Sequence, residues 1–153
     1  MTPAILMAEK HKVVFQVHQY KHDKSHGSYG LEAAEKMNVD AEMVFKTLVV
    51  SVDKQLVVAV LPVTEQLNLK SVANALKAKK AQMADKNDVL RSTGYVLGGV
   101  SPLGQKKRLV TLIDSSAKQF ENIYVSAGKR GLEIQLTAQD LGDMLSAQFL
   151  KLT

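Results

Sequence analysis

The sequence contains no cysteine. That excludes disulfides, thiolate metal sites and a cysteine nucleophile supplied by the protein. Tryptophan is also absent, and the larger aromatics amount to four tyrosines and four phenylalanines in 153 residues. So small a set argues against an extended base-stacking platform for single strands. There are three prolines, and no linker, internal repeat or low-complexity tract. No run approaches about 18 apolar residues, so no membrane span is expected. The opening MTPAILMAEK has neither a basic n-region nor a long apolar h-region. A secretory leader is therefore not expected, and the cytoplasm is the default compartment. The GxxxxGK[ST] phosphate loop, the GxSxG elbow and HExxH are missing too, which removes the usual motif basis for those chemistries.

What is present suits a globular protein. Apolar residues make up 46% and charged residues 23%, a usual balance for such chains. The length fits one domain, taken as 1–153. The net charge is +5, and basic side chains cluster at Lys77, Lys79 and Lys80, at Lys106–Arg108 and at Lys129–Arg130. The bland reading is a solvated surface. The functional reading is a polyanionic partner, with nucleic acid the commonest.

The order of elements indicates an α/β fold: a mixed, mostly antiparallel sheet forming a barrel-like core, flanked by short helices. Thr2-Pro3 predicts a helix cap followed by proline in the first turn. VVFQVHQY alternates, with Val13, Phe15 and Val17 on one face and Gln16, His18 and Tyr20 on a polar face that could line a cleft. GLEAAEKMNV predicts a helix. TLVVSV and QLVVAVLPV predict a hairpin about Asp53-Lys54. NLKSVANALKA and DKNDVLRS predict helices capped by Asn68 and Asp85. RLVTLID, IYVSAG and LEIQL predict strands. Thr137 and Asp140 precede a final helix expected over DLGDMLSAQFL.

Three features invite a functional reading. Lys46 sits in the apolar strand FKTLVVSV. A lysine at a strand end usually snorkels to water, but one held against an apolar wall can serve as a fixed cation, a general base or a Schiff-base amine. LGGVSPLG is either a tight turn or a loop whose N–H groups approach a ligand closely. The four histidines, His11, His18, His22 and His26, span a helix end, a strand and a loop. They lack a metal-ligand spacing, so solvated side chains, no metal and no cofactor are expected.

The segments TPA, VFQVHQY, VFKTLVV, RSTGYVLGGVSPLGQKKRL and IYVSAGKRGLEI, in this order along nearly the whole chain, resemble the YbaK/EbsC family. The resemblance implies a mixed α/β barrel-like fold and hydrolysis of mischarged Cys-tRNA(Pro) in trans. Cysteine is close to proline in size, so binding alone rejects it poorly and a second site must clear the error. The family is similar to the editing domain inserted in many bacterial prolyl-tRNA synthetases, which clears alanine. In its mechanism the substrate thiol attacks its own ester, and no protein nucleophile is needed.

On that resemblance Lys46 falls on the lysine needed for activity, with Thr47 beside it. Main-chain groups of Gly98, Gly99, Val100 and Ser101, in the loop closed by Pro102, would bind the carbonyl. Ser126, Ala127 and Gly128 would form a second wall, Ala127 replacing a glycine common in relatives. Tyr20 falls beside the substrate. Tyr29 stands where relatives often carry phenylalanine, and Glu133 where they often carry aspartate. Arg91, Lys106, Lys107, Arg108, Lys129 and Arg130 would meet phosphates of the tRNA(Pro) acceptor end, and prolyl-tRNA synthetase would be the partner. The competing readings are an Ala-tRNA(Pro) deacylase of the same fold and a non-catalytic tRNA-binding module.

Overall fold

Four helix starts follow the side-chain caps marked in the sequence. In a computed structural model describing residues 1–153, Thr2 caps α1 (Pro3–Lys10) by accepting the Ile5 N–H. Asn68 caps α3 (Leu69–Ala75), Asp85 caps α4 (Lys86–Thr93) and Thr137 caps α5 (Ala138–Leu145). Each cap satisfies an amide that the helix itself leaves without a partner. Ser28 does the same for α2 (Tyr29–Met37).

The strands are β1 (Gln16–Gln19), β2 (Phe45–Val52), β3 (Gln55–Pro62), β4 (Gln82–Met83), β5 (Val110–Asp114), β6 (Ile123–Lys129), β7 (Leu132–Leu136) and β8 (Gln148–Leu150). They form a three-stranded sheet of order β1-β7-β6 and a five-stranded sheet of order β4-β2-β3-β5-β8. Antiparallel pairings predominate, and β3–β5 and β5–β8 are parallel. The β2–β3 hairpin turns on Asp53 and Lys54, both at positive φ (47° and 68°), as a two-residue turn of the twist-matched type requires.

The main core lies between the sheets. Phe45, Val58, Val60 and Ile113 of the larger sheet meet Ile123, Val125, Ile134 and Leu136 of the smaller, and α1 and α5 close the ends. A second cluster packs α3 on the other face of the larger sheet.

Two expectations need correction. The sheets do not close into a barrel; one isolated bridge, Val44 to Tyr124, joins them. The last helix stops at Ser146, which adopts the left-handed conformation. Residues 148–150 instead form β8 beside β5, and Leu152 beyond it is fully buried. Pairing with an existing strand edge outweighs the helical pattern there. The β1 alternation is also modified. Val17 pairs with Ile134 on the core side, yet remains 41% exposed because β1 is an edge strand.

Candidate active site

A fork between the two sheets opens a cavity. β2 and β6 meet at Val44 and Tyr124 and then separate. The Val63 amide donates to the Val44 carbonyl, which sets the alternation of the β2–β3 ladder. The peptide groups of Phe45 and Thr47 therefore point away from β3, and β4 pairs with β2 only at Val50 and Ser51. The result is a short length of unpaired sheet edge. The cavity beside it has a volume of about 370 Å³ and is lined by Phe45, Lys46, Thr47 and Leu48 in succession. Side chains alternate along a strand, so four consecutive lining residues mean that main chain forms part of this wall.

The opposite wall is the polar face of the three-stranded sheet. Ser126 pairs with Glu133, and Glu133 with His18; opposed side chains share a face. Tyr20, two residues beyond His18, joins the same row. Tyr20, Ser126 and Glu133 line the cavity. Further along the row, His18 packs on Tyr124 with ring centroids 5.6 Å apart and bonds Gln135 at 2.8 Å.

The glycine loop supplies the roof and is held firmly. Tyr95 is buried and its hydroxyl donates to the Leu103 carbonyl at 2.7 Å. Gln105 donates to the Ser101 carbonyl at 2.9 Å. Gly98, at φ 90°, and Val100 face the cavity, and neither amide has a backbone acceptor. A Cβ on Gly99 would stand 2.8 Å from Lys129 Cα, so a side chain there would push the loop off the β6–β7 turn. The mouth is flanked by Tyr29 and Arg130. The guanidinium lies 3.8 Å from the Tyr29 ring centroid and donates to its hydroxyl.

Electrostatics in this space are unbalanced. Burial pulls the Lys46 ammonium below the ordinary lysine value, opposed by Glu65, and no carboxylate lies within 4.0 Å of it. Burial pushes the Glu133 carboxyl up to about 8. It is 7% exposed, with no hydrogen bond or ion pair in the chain. Tyr20 is raised to about 12 by burial first, then by Glu133 and Glu32. The Thr47 hydroxyl is buried without a partner. Such groups cost free energy in the empty protein, and they concentrate where a ligand completes them.

Among the residues singled out by resemblance, Lys46, Thr47, Tyr20, Tyr29, Gly98, Val100, Ser126 and Glu133 come together around this cavity, joined by Arg130. Gly99, Ser101, Pro102, Ala127 and Gly128 do not line it. Ser101 is fully buried, its hydroxyl accepting the Leu103 amide. The Ala127 carbonyl accepts from Thr2 at 2.5 Å. These residues back the wall rather than face the space. Sequence reasoning missed Ser28, Gly30, Val44 and Val63, which also line it; nothing in their local pattern marks them. The solvated-histidine reading needs amendment as well. His22 bonds the fully buried Glu32 at 2.6 Å, and His26 bonds Glu35 at 3.1 Å.

Comparison with known proteins places this arrangement. Residues 28–144 match the aminoacyl-tRNA editing domain family. The chain belongs to that family. EbsC of Enterococcus faecalis, described as a candidate Cys-tRNA(Pro)/Cys-tRNA(Cys) deacylase, is 37% identical over 99% of this chain and 93% of its own. The proline–tRNA ligase of Shouchella clausii is 33% identical over 65% of this chain, which spans 18% of that ligase. A crystal structure described as a candidate trans-editing enzyme for prolyl-tRNA synthetase shares the fold (TM-score 0.85, 18% identity, 99% of this chain and 92% of that one).

In this editing domain the basic residues divide into groups. Arg130 stands at the cavity mouth, and Lys129 beside it is exposed. Lys106, Lys107 and Arg108 border a second hollow of about 210 Å³ at the far end of the glycine loop. Arg108 donates to the Ser146 hydroxyl at 2.9 Å. Arg91 is exposed and paired with Asp88 on its own helix. No helix is long and apolar enough to cross a membrane.

Proposed function

We propose that this editing domain is an aminoacyl-tRNA deacylase that clears Cys-tRNA(Pro) in trans. The observation that carries the reading is a cavity rich in unmatched binding groups and poor in nucleophiles. The Lys46 cation, the Thr47 hydroxyl and the amides of Gly98 and Val100 all await partners. The lining hydroxyls belong to Tyr20, Ser28, Tyr29, Thr47 and Ser126, and none of them bonds a histidine. A hydroxyl nucleophile is ordinarily activated by an adjacent base, and no histidine fills that place here. A site of this kind acts by positioning and by stabilising charge.

The substrate then supplies the nucleophile. The cysteine sulfur attacks its own ester carbonyl carbon. A C–S bond forms, the ester C–O bond breaks, and the tRNA 3′-oxygen leaves with the proton given up by the thiol. The thiolactone product is opened by water. Main-chain N–H groups of Gly98 and Val100 would bear the carbonyl oxygen's developing charge, and Lys46 would anchor the aminoacyl or terminal-adenosine oxygens as a fixed hydrogen-bonding cation. Arg130 and the group Lys106–Arg108 would meet acceptor-end phosphates, with Lys129 and Arg91 further out. Such contacts position the tRNA without reading its sequence, so selection of tRNA(Pro) falls to prolyl-tRNA synthetase as partner.

The test offers Cys-tRNA(Pro) and Ala-tRNA(Pro) side by side, with identification of the first product. Faster clearance of cysteine through a thiolactone supports the proposal. Preference for alanine, or cysteine released directly with no need for the substrate thiol, would overturn it.

A further inference from the structure

We propose that Glu133 is the receptor for the free α-amino group of the aminoacyl ester, so that the site accepts aminoacyl-tRNA and rejects esters whose nitrogen is acylated, including peptidyl-tRNA. The proposal rests on the aminoacyl-ester reading above and adds the feature of the substrate that the site selects.

Glu133 is buried, only 7% exposed, and its surroundings leave it no cation. It nevertheless lines the cavity. Its neighbours on the sheet do not satisfy it. Ser126, opposite in register, accepts the Gly128 amide at 3.1 Å. His18, opposite on the other side, bonds Gln135. Tyr20 is close enough for its hydroxyl to feel the Glu133 charge, with Glu32 behind it. The other cations at the cavity, Lys46 and Arg130, make no ion pair with Glu133, and Arg130 is held by Tyr29. A carboxyl in this setting is costly unless a ligand completes it. An aminoacyl ester brings one basic group to the cavity, its α-amine; its remaining polar groups are neutral or phosphate. A phosphate has no cation to offer the carboxyl.

The protonation states match. Glu133, raised to about 8 by burial, holds its proton near neutrality, and an α-amino group titrates at roughly 7.7–8.0. The amine therefore arrives mostly as the ammonium, the cation that Glu133 lacks. On binding, the carboxyl O–H bond breaks and its proton leaves to water, and the carboxylate accepts a charge-assisted hydrogen bond from the ammonium. An amide nitrogen carries no such charge, and its acyl group occupies the same space.

The experiment measures single-turnover release from three esters on tRNA(Pro): cysteinyl, N-acetylcysteinyl and 3-mercaptopropionyl. The last keeps the thiol and removes the amine without adding bulk. The wild type should be slower on both amine-deficient esters by about 100-fold or more, as expected for a site that hydrogen-bonds a missing group. Glu133→Gln should slow the cysteinyl ester and treat it like the 3-mercaptopropionyl ester. Glu133→Asp should keep the discrimination. Equal wild-type rates on cysteinyl and 3-mercaptopropionyl esters, or full discrimination retained in Glu133→Gln, would overturn the proposal while leaving the deacylase reading intact. Dissociation constants for the matching amide-linked adenosines, with and without the amine, answer the same question independently of turnover. If no ester is released, the deacylase reading fails, while these constants still decide what Glu133 binds.

Discussion

Val44 and Tyr124 form the bridge between the two sheets, and the cavity opens beside it. Had the pairing continued, Thr47 and Ser126 would have spent their peptide groups on each other's strands. Thr47 also carries a buried, unpartnered hydroxyl. Thr47→Val removes that hydroxyl and nearly preserves shape. The free protein should be as stable as wild type or more stable by about 1 kcal/mol, while deacylation slows by roughly 10-fold if the hydroxyl binds substrate, about the cost of one hydrogen bond. Chemical denaturation and single-turnover rates on the same samples check both halves.

Lys46 should show a sharper separation of activity from stability. Its ammonium lacks an ion pair and is partly desolvated. Lys46→Met keeps the apolar stem and discards the charge. Thermal stability should hold or rise, while turnover should fall by about 10²–10³, the loss seen when a site loses one charge-stabilising donor. A variant that unfolds more easily, or one that retains turnover, contradicts an anchoring role.

Glu133 makes a pH prediction of definite sign. Its folded value, about 8, lies above the ordinary 4.5. The native state therefore binds a proton more tightly than the unfolded chain, and this group's contribution to stability falls as pH rises from about 4.5 to about 8, then levels off. Glu133→Gln abolishes that slope. Its melting temperature should exceed that of wild type at pH 9 and converge with it towards pH 5, in melts across that range.

Arg130 and Tyr29 predict a division between binding and chemistry. Arg130→Ala should raise KM several-fold with a smaller effect on kcat, and should reduce the salt slope of tRNA binding by about 1. Tyr29→Phe keeps the ring beneath the guanidinium and loses only the hydroxyl contact, so its effect should stay within about 5-fold, one ordinary hydrogen bond. Binding titrations at several salt concentrations distinguish the two.

Much of the local architecture was legible in the sequence. The caps at Thr2, Asn68, Asp85 and Thr137 are contacts across two or three residues, so the residue types that make them lie next to the helices they start. The Asp53-Lys54 hairpin is equally short-range. Lys46 and the glycine loop stood out because a cation in an apolar strand and closely spaced glycines are unusual in themselves.

The site was less legible, because long-range pairing assembles it. Tyr20, Ser126 and Glu133 face one space through the registers of β1, β7 and β6. Whether Ser126 or Ala127 faced the cavity depended on the phase of one strand, and a shift of one residue exchanges the two faces. The helix expected over residues 148–150 became β8 because β5 offered an unpaired edge. The sequence by itself determined the caps, the turn, the apolar strands and the basic surplus, all of which depend on near neighbours. The tertiary structure alone decided that β2 and β6 part after Val44 and Tyr124, because the end of a strand pairing is set by the packing of the two whole sheets. That parting left Lys46, Thr47 and Glu133 around one cavity without partners.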